Sequence, residues 1–413
     1  MNKLFGFMNR RFAPVANKVS KNFIVSSVQD AIMTILPFIL VSSIVTILSL
    51  INEIKSNFIK LDKISDYSFG IVGLGVAFLI AYNIMEKSKL ADKKLLAGVT
   101  SLALFLMTIG PTTDNNGNIT FIQERFGATG LLMAMIVGIF VGLVLRFFSK
   151  FSFFKEDSLI PDFVIVWFDS LIPTTLILTI GLVCTDYLHF DIFNLIVVIF
   201  NPLTGVMQTF YGFVLICFIQ VFLYSFGISP WILTPITYPV YLHAIAENHA
   251  IVAAGGEAVN IATNETHYGL LTMGGMGMTL TLVLLMVFRA KSNRLKAVGK
   301  ATIIPSIFNI NEPVVFGAPV AFNPFLMVGL WLNGLLLPAL AYITLKLGIL
   351  NIPSDPFFLW YIPYPFQSFF VLGGGFKSII ACFVFMGLSL LIWYPLFKMY
   401  DAQQLKLETD IKD

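Results

Sequence analysis

The feature that most limits what this chain can become is a series of apolar stretches close to the ~20 residues that cross a bilayer as a helix. They run Ala31–Leu50, Phe69–Met85, Leu95–Gly110, Gly130–Phe148, Leu171–Leu188, Phe210–Phe226, Gly269–Phe288, Phe325–Leu347 and Ser378–Leu396. Of the 413 residues 57% are hydrophobic and only 12% charged, against about a quarter charged in soluble domains. In hydrocarbon every backbone polar group must be satisfied internally, which for long apolar segments means helices. An all-α, polytopic membrane protein in contact with lipid follows.

Charge placement orients it. The segment 1–27 carries Lys3, Arg10, Arg11, Lys18 and Lys21. It lacks the apolar core and small-residue cleavage site of a signal peptide, so an interfacial cytoplasmic segment is expected. Basic residues crowd 86–94, Arg146–Lys155 and 289–300, while 111–124 has none. Lys and Arg gather in cytoplasmic loops, which puts the N-terminus, those three loops and the tail 398–413 inside. The formal net charge of +3 says little by itself, and no nucleic-acid partner is expected. Cys184, Cys217 and Cys382 stand alone in apolar sequence and read as small buried hydrophobes. With no CxxC pair and four scattered histidines, no metal site is expected. No Walker A or kinase signature appears, and no cofactor is expected. Asp30 reads as a helix cap. Asp169, Asp186 and Asp191 read as interfacial, and Glu247 and Glu257 as pathway or rim acids.

Up to about Leu188 the apolar segments are regular. Beyond it, proline and glycine enter them. "FGISPWILTPITYPVYLHAIAENHAIVAAGG" carries Pro230, Pro235 and Pro239, and "ATIIPSIFNINEPVVFGAPVAFNP" carries Pro305, Pro313, Pro319 and Pro324. Interior prolines break helices, and broken backbone at membrane depth survives only inside protein or around a watery cavity. Such interruptions point to a transporter's binding site, so both segments read as re-entrant hairpins or broken helices. Glu312 lies in the second. An ionisable group at that depth marks a substrate or ion pathway, whereas a solvated loop acid would not have flanks as apolar as "SIFNI" and "VVFGAPVAF". Asn309, Asn311 and Glu312 together supply amide donors and acceptors beside a carboxylate, which suits a polyhydroxylated solute. Tyr224, Trp231 and Trp360 flank the broken stretches and offer aromatic faces to a sugar ring; an interfacial belt is the competing role.

At "FNINEPVVFGAPVAFNP" the chain resembles the membrane-embedded IIC component of a bacterial phosphotransferase-system sugar permease, in the lactose, cellobiose and diacetylchitobiose group. "FGIS", "AENHAIVAAGG", "GGMGMTLTLVLLM" and "WYIPYPFQSFFVLGGGFKS" carry the same resemblance in order. It implies a homodimer of about ten spans per chain with two re-entrant hairpins. Residues 28–204 would build the dimer interface and 205–397 would hold one β-linked disaccharide, such as cellobiose or diacetylchitobiose. The sugar would be phosphorylated at its 6-hydroxyl by a cysteine of a separate IIB protein, itself charged by IIA. On this resemblance the chain is the sugar-translocating subunit of a phosphotransferase. Glu312 matches the glutamate that bonds the 6-hydroxyl, Asn311 its sugar-binding neighbour, Trp360 a tryptophan at the sugar site, and Tyr224 a further aromatic.

The chain departs from the family at two places. The family's FGIHG loop reads "FGISPW" here, so Ser229 replaces a sugar-contacting histidine and Pro230 a glycine. Met276 stands where the family tends to have a small polar residue. Ser229 is able to bond a hydroxyl but carries no positive charge. The alternative reading is therefore a relative that has lost phosphotransfer and acts as facilitator, sensor or receptor. His243 and His249 are the candidate substitutes for the histidine. An ion-coupled transporter shares the broken helices but not the motif order.

Overall fold

The computed structural model describes residues 22–54, 62–152, 154, 161–318 and 320–410; the interfacial segment expected at the N-terminus lies almost wholly outside them. Helix α1 (Phe23–Ile54) starts at Asn22, whose Oδ1 accepts the Ile24 N–H at 2.9 Å. Asp30 is thus two turns inside α1 rather than its cap, and its carboxylate meets the Lys87 amine at 2.5 Å. Next come α2 (Val72–Lys87), α3 (Lys94–Thr108), α4 (Leu131–Phe148) and α5 (Asp162–Leu182); α1, α3 and α4 pack around α2, and α5 packs on α3 and α4. Asp169 on α5 is buried, 3.8 Å from Lys93 just before α3. The acidic loop 111–124 forms a hairpin of β1 (Thr112–Thr113) and β2 (Ile119–Thr120). Asp114 ties its turn by accepting the Asn116 and Asn118 N–H groups, each at 2.8 Å.

Helices α6 (Ile192–Gln208) and α7 (Phe210–Ser225) meet at 84°. Asp191 caps α6 by accepting the Asn194 N–H at 3.0 Å. At the bend, a Cβ on Gly212 would fall 1.8 Å from the Val206 carbonyl oxygen, so the two helices close together only over glycine. After α8 (Thr234–Ala253) come α9 (Thr279–Phe288), α10 (Asn293–Ile307), the short α11 (Glu312–Gly317), α12 (Pro324–Lys346), α13 (Tyr364–Val371) and α14 (Phe376–Asp410).

Five helical stretches are long and apolar enough to cross a membrane among the described residues: Lys63–Lys87, Ala128–Phe148, Val164–Tyr187, Pro324–Lys346 and Phe376–Thr409. The bent α6–α7 pair makes a sixth if taken as one span. Other segments read as spans fold shorter, α3 at 15 residues and α9 at 10. The stretch Gly269–Phe288 is interrupted, because Gly274, Gly275, Gly277 and Met278 take φ of +70°, +95°, +80° and +51°, outside any right-handed helix.

The segment around Pro235 differs in the other direction and contains one continuous 20-residue helix, α8. Pro230 and Pro235 sit in first turns, where the missing N–H has no partner to lose; Pro239 alone removes an interior bond. The "NINEP" segment is broken as its prolines imply. Helix α10 stops at Ile307, Asn309 takes φ of +61°, α11 lasts six residues, and Phe322 takes +61° before α12.

In the C-terminal part α7 packs on α12, α9 on α10, and α14 along both α12 and α9. Helix α14 also reaches two loops. Its Trp393 Nε1 donates to the Gly277 carbonyl at 3.3 Å. Nearer its end, Asp401 accepts the Lys291 and Ser292 N–H groups at 2.9 Å, and Glu408 those of Asn293 and Arg294 at 3.0 and 2.9 Å. These carboxylates satisfy the orphan donors at the start of α10. One apolar cluster runs from Val28 and Ile32 of α1 through Tyr224 and Tyr238 to Leu330 and Trp393, so α1 and the C-terminal helices share a core.

Candidate functional site

The interruptions enclose a cavity of about 380 Å³, within the range of about 300–1,000 Å³ typical of small-molecule sites. Tyr224, Ser229, Asn311, Glu312 and Trp360, the residues singled out from sequence, all line it. So do Trp231 and Met276, and α1 contributes Met33.

Asn309 builds the frame. Held at φ +61°, its Oδ1 accepts the Gly274 N–H at 2.8 Å. Its Nδ2 lies 2.7 and 2.9 Å from the Trp360 and Ile362 carbonyls and 2.9 Å from Gln367 Oε1. The glycine-rich loop, the break before α11 and the Trp360 segment are thereby tied at one amide. Its polar atoms are committed to the protein, so Asn309 is a scaffold rather than the free amide its sequence position implies.

Asn311 keeps capacity in reserve. Its Nδ2 donates to the Met276 carbonyl at 2.9 Å and its Oδ1 accepts the Tyr224 hydroxyl at 3.1 Å. One amide hydrogen and one lone pair remain. The glycine loop approaches it so closely that a Cβ on Gly275 would fall 2.3 Å from Asn311 Cγ. Glu312, the first residue of α11, is exposed. Its carboxylate has no hydrogen-bond or ion-pair partner among the described residues, leaving both oxygens to a ligand hydroxyl. Ser229 is also exposed, and its hydroxyl does not cap the short turn Pro230–Leu233.

Three rings make the apolar wall. Trp231 and Tyr268 stack at 6.2 Å and 15°, and Trp360 lies 6.2 Å from Trp231 and 6.5 Å from Tyr268. Tyr268 was missed in the sequence. The available signal was the polar run "TNETH" within apolar surroundings, where Thr263 to His267 are all buried.

His243 and His249 are absent from the wall; His249 Nδ1 instead meets Asp355 Oδ1 at 2.9 Å. Glu247 and Glu257 are absent too, and Glu247 accepts a bond from Asn260 Nδ2 at 2.8 Å. No cationic side chain lines the cavity among the described residues, and none of these residues forms a cluster of three or more metal-ligating side chains. The arrangement can cover the C–H face of a sugar ring with aromatic surface, hold hydroxyls with an amide and a serine, and accept a hydroxyl proton on a carboxylate.

The comparisons with known proteins agree with one another. The family model described as "Phosphotransferase system, EIIC" matches residues 29–334. The chain is 27% identical to the lichenan permease IIC component of Bacillus subtilis (strain 168), over all of this chain and 97% of that one. It is 28% identical to the cellobiose-specific EIIC component of Geobacillus stearothermophilus, over 98% and 96% of the two chains. Among solved structures, the transporter ChbC, the IIC component of the N,N'-diacetylchitobiose-specific phosphotransferase system, superposes with a TM-score of 0.88 at 27% identity. That superposition covers 98% of this chain and 99% of ChbC.

Proposed function

This chain belongs to the phosphotransferase-system EIIC family and is a multi-pass sugar permease, and on that footing we propose that it imports a β-linked disaccharide of the cellobiose or diacetylchitobiose kind through the cavity at Glu312. The observation that carries the reading is the convergence of an unpartnered carboxylate, a half-free amide and three aromatic rings on one 380 Å³ space. Similarity to permeases titled for lichenan, cellobiose and diacetylchitobiose supports the sugar class.

In this reading the disaccharide lies against Trp360 and its neighbouring rings, with hydroxyls on Asn311, Tyr224 and Ser229. The 6-hydroxyl donates to Glu312, which orients the sugar oxygen and takes its proton within hydrogen-bond reach. The S–P bond of a phosphocysteine on IIB breaks as the new O–P bond forms, and the cysteine leaves as thiolate. Catalysis here is positioning and charge management. The full-length similarity to permease components gives the alternative, a relative that has lost phosphotransfer, no support. We assign residues 28–204 to a homodimer interface and 205–397 to transport, with both termini cytoplasmic; Met33 brings the first of these portions into the site as well.

The test supplies cells expressing the chain with IIA and IIB with radiolabelled cellobiose or diacetylchitobiose and separates free from phosphorylated label. Phosphorylated sugar is expected with the native chain. Glu312→Gln should reduce it by about 100-fold or more, the range of a lost general base, with the protein still in the membrane. Free sugar alone, or equal phosphorylation by the variant, would overturn the reading.

A further inference from the structure

Behind the glycine loop lies a second, smaller compartment of about 20 Å³, room for one water. His267 and Asn333 line it, with Cys217 beside them. His267 is 3% and Asn333 2% exposed, and His267 Nε2 and Asn333 Oδ1 both lack a hydrogen-bond partner. The other polar ends of the two side chains are engaged: His267 Nδ1 lies 3.3 Å from Cys217 Sγ, and Asn333 Nδ2 donates to the Gly329 carbonyl at 2.8 Å. A thiol donates to a ring nitrogen more readily than it accepts from one, which leaves the imidazole proton on Nε2. The compartment thus presents one donor and one acceptor. Buried polar atoms left in this state are costly and mark a place for a ligand able to satisfy both.

The compartment adjoins the large cavity. Thr272 and Met276 line both spaces, and the Met276 carbonyl is fixed by Asn311. The Met276 side chain is buried, flexible and apolar. We infer that Met276 is a gate between the sugar cavity and an unassigned polar subsite formed by His267 and Asn333, and that it decides which ring substituents the permease accepts. The class that fits the subsite is a compact group with one donor and one acceptor, of which a secondary amide, as in a 2-acetamido sugar, is the clearest example. Its N–H would bond Asn333 Oδ1 and its carbonyl His267 Nε2. With methionine present the subsite admits only water, and the permease favours the unsubstituted sugar.

This inference rests on the large cavity being the sugar site. The test measures binding of cellobiose and diacetylchitobiose to the full-length protein in detergent, beside phosphorylated uptake in cells. Met276→Ala should raise the affinity for diacetylchitobiose relative to cellobiose by roughly 10-fold, the scale set by opening a pocket to an added group. Adding Asn333→Leu in that background should erase the gain. Met276→Val and Met276→Ser grade the opening should the alanine variant be unstable, and selectivity should follow the volume removed. An equal change for both sugars, or a gain that survives Asn333→Leu, would overturn the gate alone. Failure of the native chain to bind either sugar would instead remove the site on which the gate depends.

Discussion

Gly275 shows how little room the site leaves. At φ +95° it occupies a conformation that L side chains avoid, and its added Cβ would overlap Asn311. Gly275→Ala should therefore weaken sugar binding by about 10-fold or more, since misplacement by about 1 Å in a positioned site costs up to about 100-fold. Sugar titration of the purified variant checks this, and unchanged affinity would mean that Asn311 does not touch the sugar. At this scale the sequence was informative where chemistry is local. A carboxylate and an asparagine in apolar, proline-broken surroundings point to a pocket without reference to any fold, and Glu312 and Asn311 do line one. Tyr268 is legible only through the polar run before it, and Asn333 not at all, because an asparagine in an apolar run looks the same whether it packs or faces a cavity. Asn309 looked like its neighbour Asn311, and only tertiary geometry separates the scaffold from the candidate ligand.

Between elements, the half-exposed pair His249–Asp355 joins the end of α8 to the loop that leads to Trp360. The bond from Asp355 raises the His249 pKa, with Asp66 adding a smaller field in the same direction. A histidine whose folded value lies above its unfolded one, about 6.5, contributes full stability below that value. The contribution is lost as pH rises through the raised folded value. For an exposed pair it is worth less than about 1 kcal/mol. Thermal unfolding of His249→Gln in detergent should thus fall slightly below that of the native chain at pH 5.5 and match it at pH 9; a gap that widens with pH would contradict the pairing. Element boundaries were harder to read than residues. Proline marked the break before α11 correctly but not α8, because its effect depends on whether it falls in a first turn. Glycine carried the opposite surprise: "GGMGM" passed as part of a span, although its backbone turns left-handed four times between Gly274 and Met278.

For the whole molecule, apolar segment length was enough to give the class, and the ordered motifs gave the family. The number of crossings stayed hidden, because a broken span and a short packed helix have the same hydropathy. Orientation is testable directly. With the three native cysteines replaced by serine, a cysteine at Asn116 in the β1–β2 loop should react with a membrane-impermeant maleimide in intact cells. One at Lys291 should react only after the membrane is opened. The reverse pattern would invert the topology read from the basic loops.

Helix α14 ties these scales together. At 35 residues it is about 50 Å long at 1.5 Å per residue. At one point Trp393 holds the loop that carries Gly275 and Met276; farther along, Asp401 and Glu408 hold the helix that delivers Asn309, Asn311 and Glu312. Two of the segments that line the candidate cavity therefore hang from a single rod. Parting these two segments would break the Trp393 bond or strip the start of α10 of its carboxylate partners, so a shift of α14 along its axis is expected to carry both, like two hooks on one rail.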